Sequence, residues 1–177
     1  MNGDIEKILI SEAEIQEGVA KLGKILAEEY ADKNPVFLGV LKGVVVFFSD
    51  MIRAIPIPCE IDFIAVSSYG SGTKAGELIF RKDVTVDIKD RHVVILEDIL
   101  DTGKTLKRVV AHLKEKEPAS LKICTLLNKP DRREVPIEAD YVGFTIPNEF
   151  VVGYGLDYAE GYRNLPYVGV LKPEIYK

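Results

Sequence analysis

The chain has 177 residues, 47% of them hydrophobic and 29% charged, with a formal net charge of −5. This size and composition are typical of one globular domain over residues 1–177, and the acidic balance disfavours a general nucleic-acid-binding protein, which needs a basic surface. The sequence lacks a hydrophobic run of the roughly 20 residues that cross a bilayer, and its acidic start is unlike a signal peptide, so we expect no membrane contact and a cytoplasmic location.

The first predicted element is an amphipathic helix that follows Ser11. Ser11 and Glu14 have the spacing of a capping box, in which each residue satisfies a free backbone N–H of the other. Apolar residues recur at helical spacing and define one buried face: Ile15, Val19, Leu22, Leu26 and Tyr30. We interpret this helix as a packing element.

A short buried strand, residues 36–41, comes next and leads through Lys42 and Gly43 into a helix over residues 44–55. A lysine and a glycine at such a junction can belong to a ligand-binding loop or to an ordinary surface turn, and the residues alone leave both open.

A strand over residues 60–69 is followed by the glycine-rich segment GSGTKAGE, and residues 77–86 are predicted to return as a second strand. The composition of this segment is typical of a solvated hairpin loop. It also suits a lid that closes over a reaction which water would disrupt.

The most informative stretch is HVVILEDILDTGKT, residues 92–105. An apolar run ends in Glu97 and Asp98, and a polar loop leads into an amphipathic helix. We predict a buried strand of a parallel sheet that ends at Leu96, with the acids at its carboxyl end, where such sheets bind ligands. The acids can accept hydrogen bonds from a ribose diol or hold Mg²⁺. The loop can wrap a phosphate at a helix N-terminus through Thr102, Gly103, Lys104 and Thr105.

The letters Gly-Lys-Thr at 103–105 also occur in P-loop NTPases. That motif requires a glycine five residues before Gly103, where this chain has Asp98. A carboxylate at that position would repel a triphosphate, so we reject this interpretation.

Lys129 directly follows another predicted strand, residues 121–128. A lysine at the end of a buried strand is placed for ligand contact, but a basic turn exposed to solvent is equally consistent with the sequence that follows it, Pro130-Asp131-Arg132-Arg133.

Residues 93–106, VVILEDILDTGKTL, resemble the phosphoribosyl-pyrophosphate (PRPP) motif of type I phosphoribosyltransferases. The C-terminal stretch over residues 149–171 is similar to the corresponding segment of hypoxanthine-guanine phosphoribosyltransferases. Shorter matches in the same order extend the resemblance over about residues 36–171. By this resemblance the chain is identified as a member of that family.

The alternation of strands and helices by itself predicts an α/β fold, a mostly parallel central sheet flanked by helices, and the resemblance implies the same fold. It implies a core over about residues 34–147, and a small hood over the base formed by the N-terminal residues and about residues 148–177. The family transfers the 5-phosphoribosyl group from PRPP to hypoxanthine or guanine with Mg²⁺, giving IMP or GMP and pyrophosphate. It is dimeric or tetrameric, so we expect a homodimer or homotetramer, with the apolar helix after Gly43 available for the interface.

Roles for individual residues follow from the same resemblance. The ribose and the 5′-phosphate of PRPP are expected at Glu97, Asp98, Asp101, Thr102, Gly103, Lys104 and Thr105. Pyrophosphate is expected at Leu41, Lys42, Gly43 and Arg163, with a cis peptide bond between Leu41 and Lys42. Asp101 is our choice for the general acid/base that moves a proton on the purine.

The base is expected to contact Lys129, Phe150, Val151 and Asp157. Lys129 would donate to O6 of a 6-oxopurine and so reject adenine, which has an amino group there. Mg²⁺ is expected at Glu97, Asp98 and Asp157, and Ser68 with Tyr69 belongs to the lid.

Two alternatives remain open. One is a different base preference, such as a xanthine-preferring or guanine-only enzyme. The other is a regulator that keeps this fold and binds PRPP and nucleic acid. Such a regulator needs a basic face, and a chain of net charge −5 offers little material for one.

Overall fold

The computed structural model describes residues 2–68 and 78–177. The helices and strands in these ranges are β1 (Ile5–Ile10), α1 (Glu12–Glu29), β2 (Val36–Leu41), α2 (Val45–Ala54), β3 (Glu60–Ser68), β4 (Leu78–Lys82), β5 (His92–Leu100), α3 (Lys104–Lys114), β6 (Ser120–Asn128), β7 (Tyr141–Thr145), β8 (Val151–Val152), β9 (Val168–Leu171) and α4 (Pro173–Tyr176). Short 3₁₀ helices cover Asn2–Asp4 and Pro130–Arg132.

The larger sheet has the strand order β4-β3-β2-β5-β6-β7. Every neighbouring pair in it is parallel except β3 with β4, which is antiparallel. The predicted α/β fold with a mostly parallel sheet is therefore confirmed. After β2 the chain forms β3 and β4 on one side of β2, and it later forms β5 on the other side of β2. Open sheets of this kind bind ligands at the carboxyl ends of two such strands.

Helices cover both faces of this sheet, which is why its central strands are almost continuously apolar. The apolar residues of α1 and α2 pack with Phe37 and Val94 on one face. Those of α3 pack with Leu38 and Ile95 on the other. The predicted buried face of α1 and its capping box at Ser11 are both confirmed. None of the helices in the described ranges is long and apolar enough to span a membrane.

A smaller antiparallel sheet joins the two ends of the chain in the order β1-β9-β8. Its register pairs Ile5 with Leu171 and Val151 with Val170. The strands of the larger sheet lie between about residues 34 and 148, and those of the smaller sheet lie before and after this range. The assignment of a catalytic core and a hood to these parts remains a prediction.

The predicted extents of two strands are wrong. β5 does not end at Leu96 but continues to Leu100, because its pairing with β6 extends to Leu100 opposite Asn128. Glu97 and Asp98 are therefore residues of a strand. The return strand predicted over 77–86 is described only as Leu78–Lys82, because the backbone N–H groups of Thr85 and Val86 bond to a side chain, that of Asp62.

Asp62 is a buried carboxylate, 7% exposed, that anchors the chain after β4. Its Oδ1 accepts from Lys82 Nζ at 2.6 Å, and its Oδ2 accepts from Thr85 N at 2.6 Å and Val86 N at 3.1 Å. Burial alone would raise the pKa of Asp62. The hydrogen bonds from Lys82 and from the backbone of Thr85, Phe63 and Val86 outweigh it and hold this pKa well below its usual range.

We expect Asp62→Asn to lower the free energy of unfolding at pH 7 by about 2–4 kcal/mol, because an amide cannot accept from all these donors and the Lys82 ammonium group loses the charge of its ion-pair partner. Since the folded-state pKa is depressed, the carboxylate stabilises the fold above the unfolded-state pKa, and this contribution is lost as pH falls toward the folded-state value. In urea unfolding, the difference in unfolding free energy between wild type and D62N should therefore have its full size above about pH 5 and become smaller below about pH 4. Asp32→Asn, at an exposed position, is the control; equal stabilities of D62N and wild type at pH 7 would contradict the assignment.

Candidate active site

A cleft of about 270 Å³ lies at the carboxyl ends of β2 and β5. Two loops form most of its lining, one between β2 and α2 and the other between β5 and α3. These neighbouring strands meet at the point where the strand order reverses, so residues about 60 positions apart in the chain come together. The lining contains nine of the residues predicted from the sequence: Leu41, Lys42, Gly43, Glu97, Asp98, Asp101, Thr102, Gly103 and Thr105.

The turn after β2 packs closely against the acid pair. The Leu41–Lys42 peptide bond is cis, as expected from the resemblance. A Cβ added to Gly43 would lie 1.8 Å from Asp98 Oδ2, and a Cβ added to Gly155 would lie 2.0 Å from the carbonyl oxygen of Gly43. Glycine is therefore required at 43 and 155 if the C-terminal segment, the turn and Asp98 are to stack in this order.

We expect Gly43→Ala to lower kcat/KM for PRPP by about 100-fold, since the added methyl group must displace either the turn or the Asp98 carboxylate, and shifts of about 1 Å in a reacting site cost that much. Steady-state kinetics, normalised to the folded fraction, measure this effect. Gly3→Ala is the matched control, because no atom lies within 4 Å of its added Cβ. Wild-type kcat/KM in G43A would show that the close packing has no catalytic importance.

Glu97 and Asp98 are carboxylates with little compensation for their burial. Asp98 is 8% exposed, and its Oδ1 accepts from the backbone N–H of Ile99 at 2.8 Å. The Oε2 atom of Glu97 is buried and has no hydrogen-bond partner within residues 2–68 and 78–177. Burial raises the pKa of Asp98 to about 6, and burial together with the charge of Asp98 raises the pKa of Glu97 well above its usual value. Such a pair favours a hydroxyl donor or a cation in the cleft.

The loop between β5 and α3 requires glycine at position 103. Gly103 has a φ of +81° and caps α3, and a Cβ there would lie 2.5 Å from Ile137 Cγ2. The loop thus presents a helix N-terminus to the cleft, which favours anions. The side chain of Lys104 is directed elsewhere, into an ion pair with Glu134. Lys104 can therefore contribute its backbone rather than its ammonium group.

Lys129 lies beside Asp101. The Lys129 side chain, 6% exposed, donates from Nζ to the carbonyl oxygen of Glu149 at 2.9 Å, and the same Nζ lies 4.0 Å from Asp101 Oδ2. Burial lowers the pKa of Lys129, and the charge of Asp101 opposes this effect. The alternative of a solvent-exposed turn is excluded for Lys129, whereas Arg132 on the next turn is half exposed and contacts Asp101 at 3.4 Å.

Four further predicted residues belong to the C-terminal segment and do not line this cleft in the described structure. Phe150 is 37% exposed and stacks on Tyr176 with ring centroids 4.6 Å apart. Val151 is buried in β8. Arg163 forms an ion pair with Asp157 at 2.9 Å. Ser68 ends β3, and Tyr69 lies outside the described residues.

Two charged residues near the cleft were not predicted from the sequence. Glu160 bonds to Lys42 at 3.1 Å and to Arg163 at 3.2 Å, so it joins the two cations expected to bind pyrophosphate. Arg133 bonds to the backbone of the phosphate loop. The contact of Glu160 with Lys42 and those of Arg133 join residues more than 30 positions apart in the chain, so no local sequence pattern indicates them.

The fold and the cleft define a phosphoribosyltransferase. A family model described as the phosphoribosyl transferase domain matches residues 5–159, and the chain belongs to this family. It is 55% identical to the hypoxanthine-guanine phosphoribosyltransferase of Streptococcus pneumoniae, over 99% of this chain and 98% of that protein. The resemblance to hypoxanthine-guanine phosphoribosyltransferases predicted from the sequence is thus confirmed over the whole chain.

Solved structures agree with this membership. The chain matches a hypoxanthine phosphoribosyltransferase of Staphylococcus aureus with a TM-score of 0.96 and 49% identity, covering 100% of this chain and 97% of that one. It matches a hypoxanthine-guanine phosphoribosyltransferase of Bacillus anthracis with a TM-score of 0.90 and 45% identity, covering 95% and 99% of the two chains.

Proposed function

We propose that this enzyme transfers the 5-phosphoribosyl group of PRPP to hypoxanthine or guanine, forming IMP or GMP and pyrophosphate in purine salvage. The observation that carries the proposal is the arrangement at the cleft. An acid pair of half-buried Glu97 and buried Asp98, a phosphate loop at a helix N-terminus and a buried lysine beside an aspartate lie next to one another. The relatives named for this reaction are similar over nearly the whole chain.

Ribose and phosphate bind in adjacent parts of the cleft in this proposal. Glu97 and Asp98 accept hydrogen bonds from the ribose hydroxyls, which supplies a donor to the buried Oε2 atom of Glu97. The loop from Asp101 to Thr105 binds the 5′-phosphate. Lys42, Gly43 and Arg163 bind pyrophosphate, so its negative charge is stabilised as the bond to C1′ breaks.

Mg²⁺ fits the chemistry of these donors. Among the described residues, no cluster of three or more His, Cys, Asp or Glu side chains could hold a metal by itself. Mg²⁺, however, is commonly bound by one or two carboxylates together with substrate oxygens and water. Glu97, Asp98 and Asp157 would hold it, and when bound it neutralises charge on the pyrophosphate group. Removing Mg²⁺ with a chelator is expected to abolish turnover.

The base binds between Lys129 and Phe150. Lys129 donates to O6 of a 6-oxopurine, Phe150 stacks on the ring, and the backbone at Val151 together with Asp157 contacts the base edge. Asp101 accepts or returns the purine proton as N9 attacks C1′.

Three further expectations stay predictions. They are the lid formed with Ser68 and Tyr69, the cytoplasmic location, and a homodimeric or homotetrameric state. Phe47, Phe48 and Met51 of α2 are buried within the chain itself, so this helix offers mainly Val45, 48% exposed, to a partner.

A panel of bases tests the proposal. Purified protein, PRPP and Mg²⁺ are mixed with hypoxanthine, guanine, xanthine, adenine or uracil, and nucleotide formation is followed. We expect turnover of hypoxanthine and guanine, with adenine and uracil inert. Turnover of xanthine or guanine alone would replace the proposed specificity. Binding of PRPP without turnover of any base would favour the regulator instead.

A further inference from the structure

An arginine with little exposed surface contacts the phosphate loop and does not line the cleft in the described structure. Arg133 caps the 3₁₀ helix Pro130–Arg132 that follows β6. Its NH1 donates to the carbonyl oxygen of Leu100 at 3.0 Å and also to that of Asp101, and its NH2 donates to Asn128 Oδ1 at 2.5 Å. One guanidinium group therefore ties the end of β5 and the start of the loop to the end of β6.

The positive charge of Arg133 has no buried carboxylate facing it in these contacts. Its side chain is 10% exposed, and its ion pair with Glu138 is long, 3.9 Å, with the Glu138 side chain 74% exposed. The remaining partners are neutral oxygens. An arginine stays charged when it is buried. The charge beneath the loop therefore raises the positive potential of the cleft in front of it.

Three successive carbonyl groups, those of Leu100, Asp101 and Thr102, point to the same side. The backbone N–H of Lys129 donates to Leu100 O at 3.0 Å, and that of Glu134 donates to Thr102 O at 3.0 Å. Together with the bonds from Arg133, these contacts hold three successive carbonyl groups toward the segment after β6. In a planar trans peptide the N–H of the next residue points the opposite way. The N–H groups of Asp101, Thr102 and Gly103 are therefore directed away from that segment, and these three residues line the cleft.

We propose that Arg133 is a positioning residue for the phosphate loop. By holding the carbonyls of Leu100 and Asp101, it turns the N–H groups of Asp101 and Thr102 toward a phosphate monoester and adds positive potential behind them. Its ligand class is a ribose 5-phosphate group. The inference rests on the proposed function, because that function assigns the 5′-phosphate to this loop and pyrophosphate to Lys42 and Arg163.

The reverse reaction, IMP with pyrophosphate and Mg²⁺, separates the two phosphate sites in one assay. In Arg133→Met we expect KM for IMP to rise about 10- to 100-fold, the range for loss of charged hydrogen bonds. We expect KM for pyrophosphate to change less than about threefold, since no contact to Lys42 or Arg163 is removed. Arg133→Lys keeps the charge but not the fixed fork of donors, so it should restore part of the loss. Arg108→Met removes an exposed charge from α3 and is the matched control.

Calorimetric titration with ribose 5-phosphate tests the loop without any reaction. R133M should bind it about 10-fold or more weakly than wild type, and R108M within about twofold. Equal rises in both KM values, a fall in kcat with KM for IMP unchanged, or R133M behaving like R108M would overturn the proposal. If R133M does not fold, unchanged ribose 5-phosphate affinity in R133K would overturn it too. Failure of the wild type to convert IMP would contradict the proposed function, and the titration would still decide the role of Arg133.

Discussion

Asp101→Asn is expected to lower kcat for nucleotide formation by about 10²- to 10⁴-fold, the range typical for loss of a general acid or base. Asp101 lines the cleft, and its Oδ2 lies 4.0 Å from the buried Lys129 Nζ. Asparagine has the same shape and still accepts a hydrogen bond from Arg132, but it cannot take up or return a proton. The affinity for PRPP with Mg²⁺ should therefore change less than about threefold.

Steady-state rates of IMP formation and a separate PRPP titration measure these two quantities. Asp131→Asn is the matched control, because Asp131 is exposed on the 3₁₀ turn that carries Arg132. It should retain wild-type kcat. Near-full turnover of D101N would remove Asp101 from the acid/base role. A large loss of PRPP affinity would indicate that its main contribution is to binding.

Lys129→Ala is expected to lower kcat/KM for hypoxanthine and guanine by about 100-fold, as expected for loss of a charged donor to a buried acceptor. The activity with adenine should stay at its background value. The ratio of kcat/KM for a 6-oxopurine to that for adenine therefore falls by the same factor. PRPP affinity should change less than about threefold, because Lys129 does not line the cleft assigned to PRPP.

Truncation to alanine also removes the buried stem of Lys129 and its bond to the Glu149 carbonyl. Lys129→Met keeps most of that volume but lacks the ammonium group, and it should show the same loss of selectivity. Recovery of activity in K129M would show that the loss in K129A comes from removing the buried stem and not from removing the ammonium group. A larger loss of PRPP affinity than of base selectivity in both variants would contradict the role of Lys129 in base recognition.

Local patterns predicted much of the fold. The capping box at Ser11, the buried face of α1, the apolar strand β2 and the alternation of strands with helices all follow from the periodicity and end signals of short segments. The end of β5 could not be read in this way. Glu97 and Asp98 resemble the start of a loop, but pairing with β6 keeps them in the strand, and that pairing depends on a segment more than 20 residues later.

The sequence by itself determined the family, the parallel α/β architecture and the residue types available for phosphate, ribose and base. Only the tertiary structure decided how these residues are held. It buries Lys129 beside Asp101, stacks Gly155 on Gly43 and Gly43 on Asp98, anchors the chain after β4 on Asp62, and places the charge of Arg133 behind the phosphate loop. The physical reason is that each of these contacts joins groups far apart in the chain, so burial and hydrogen-bond partners depend on strand order and register. A local pattern carries information only about neighbours along the helix or strand.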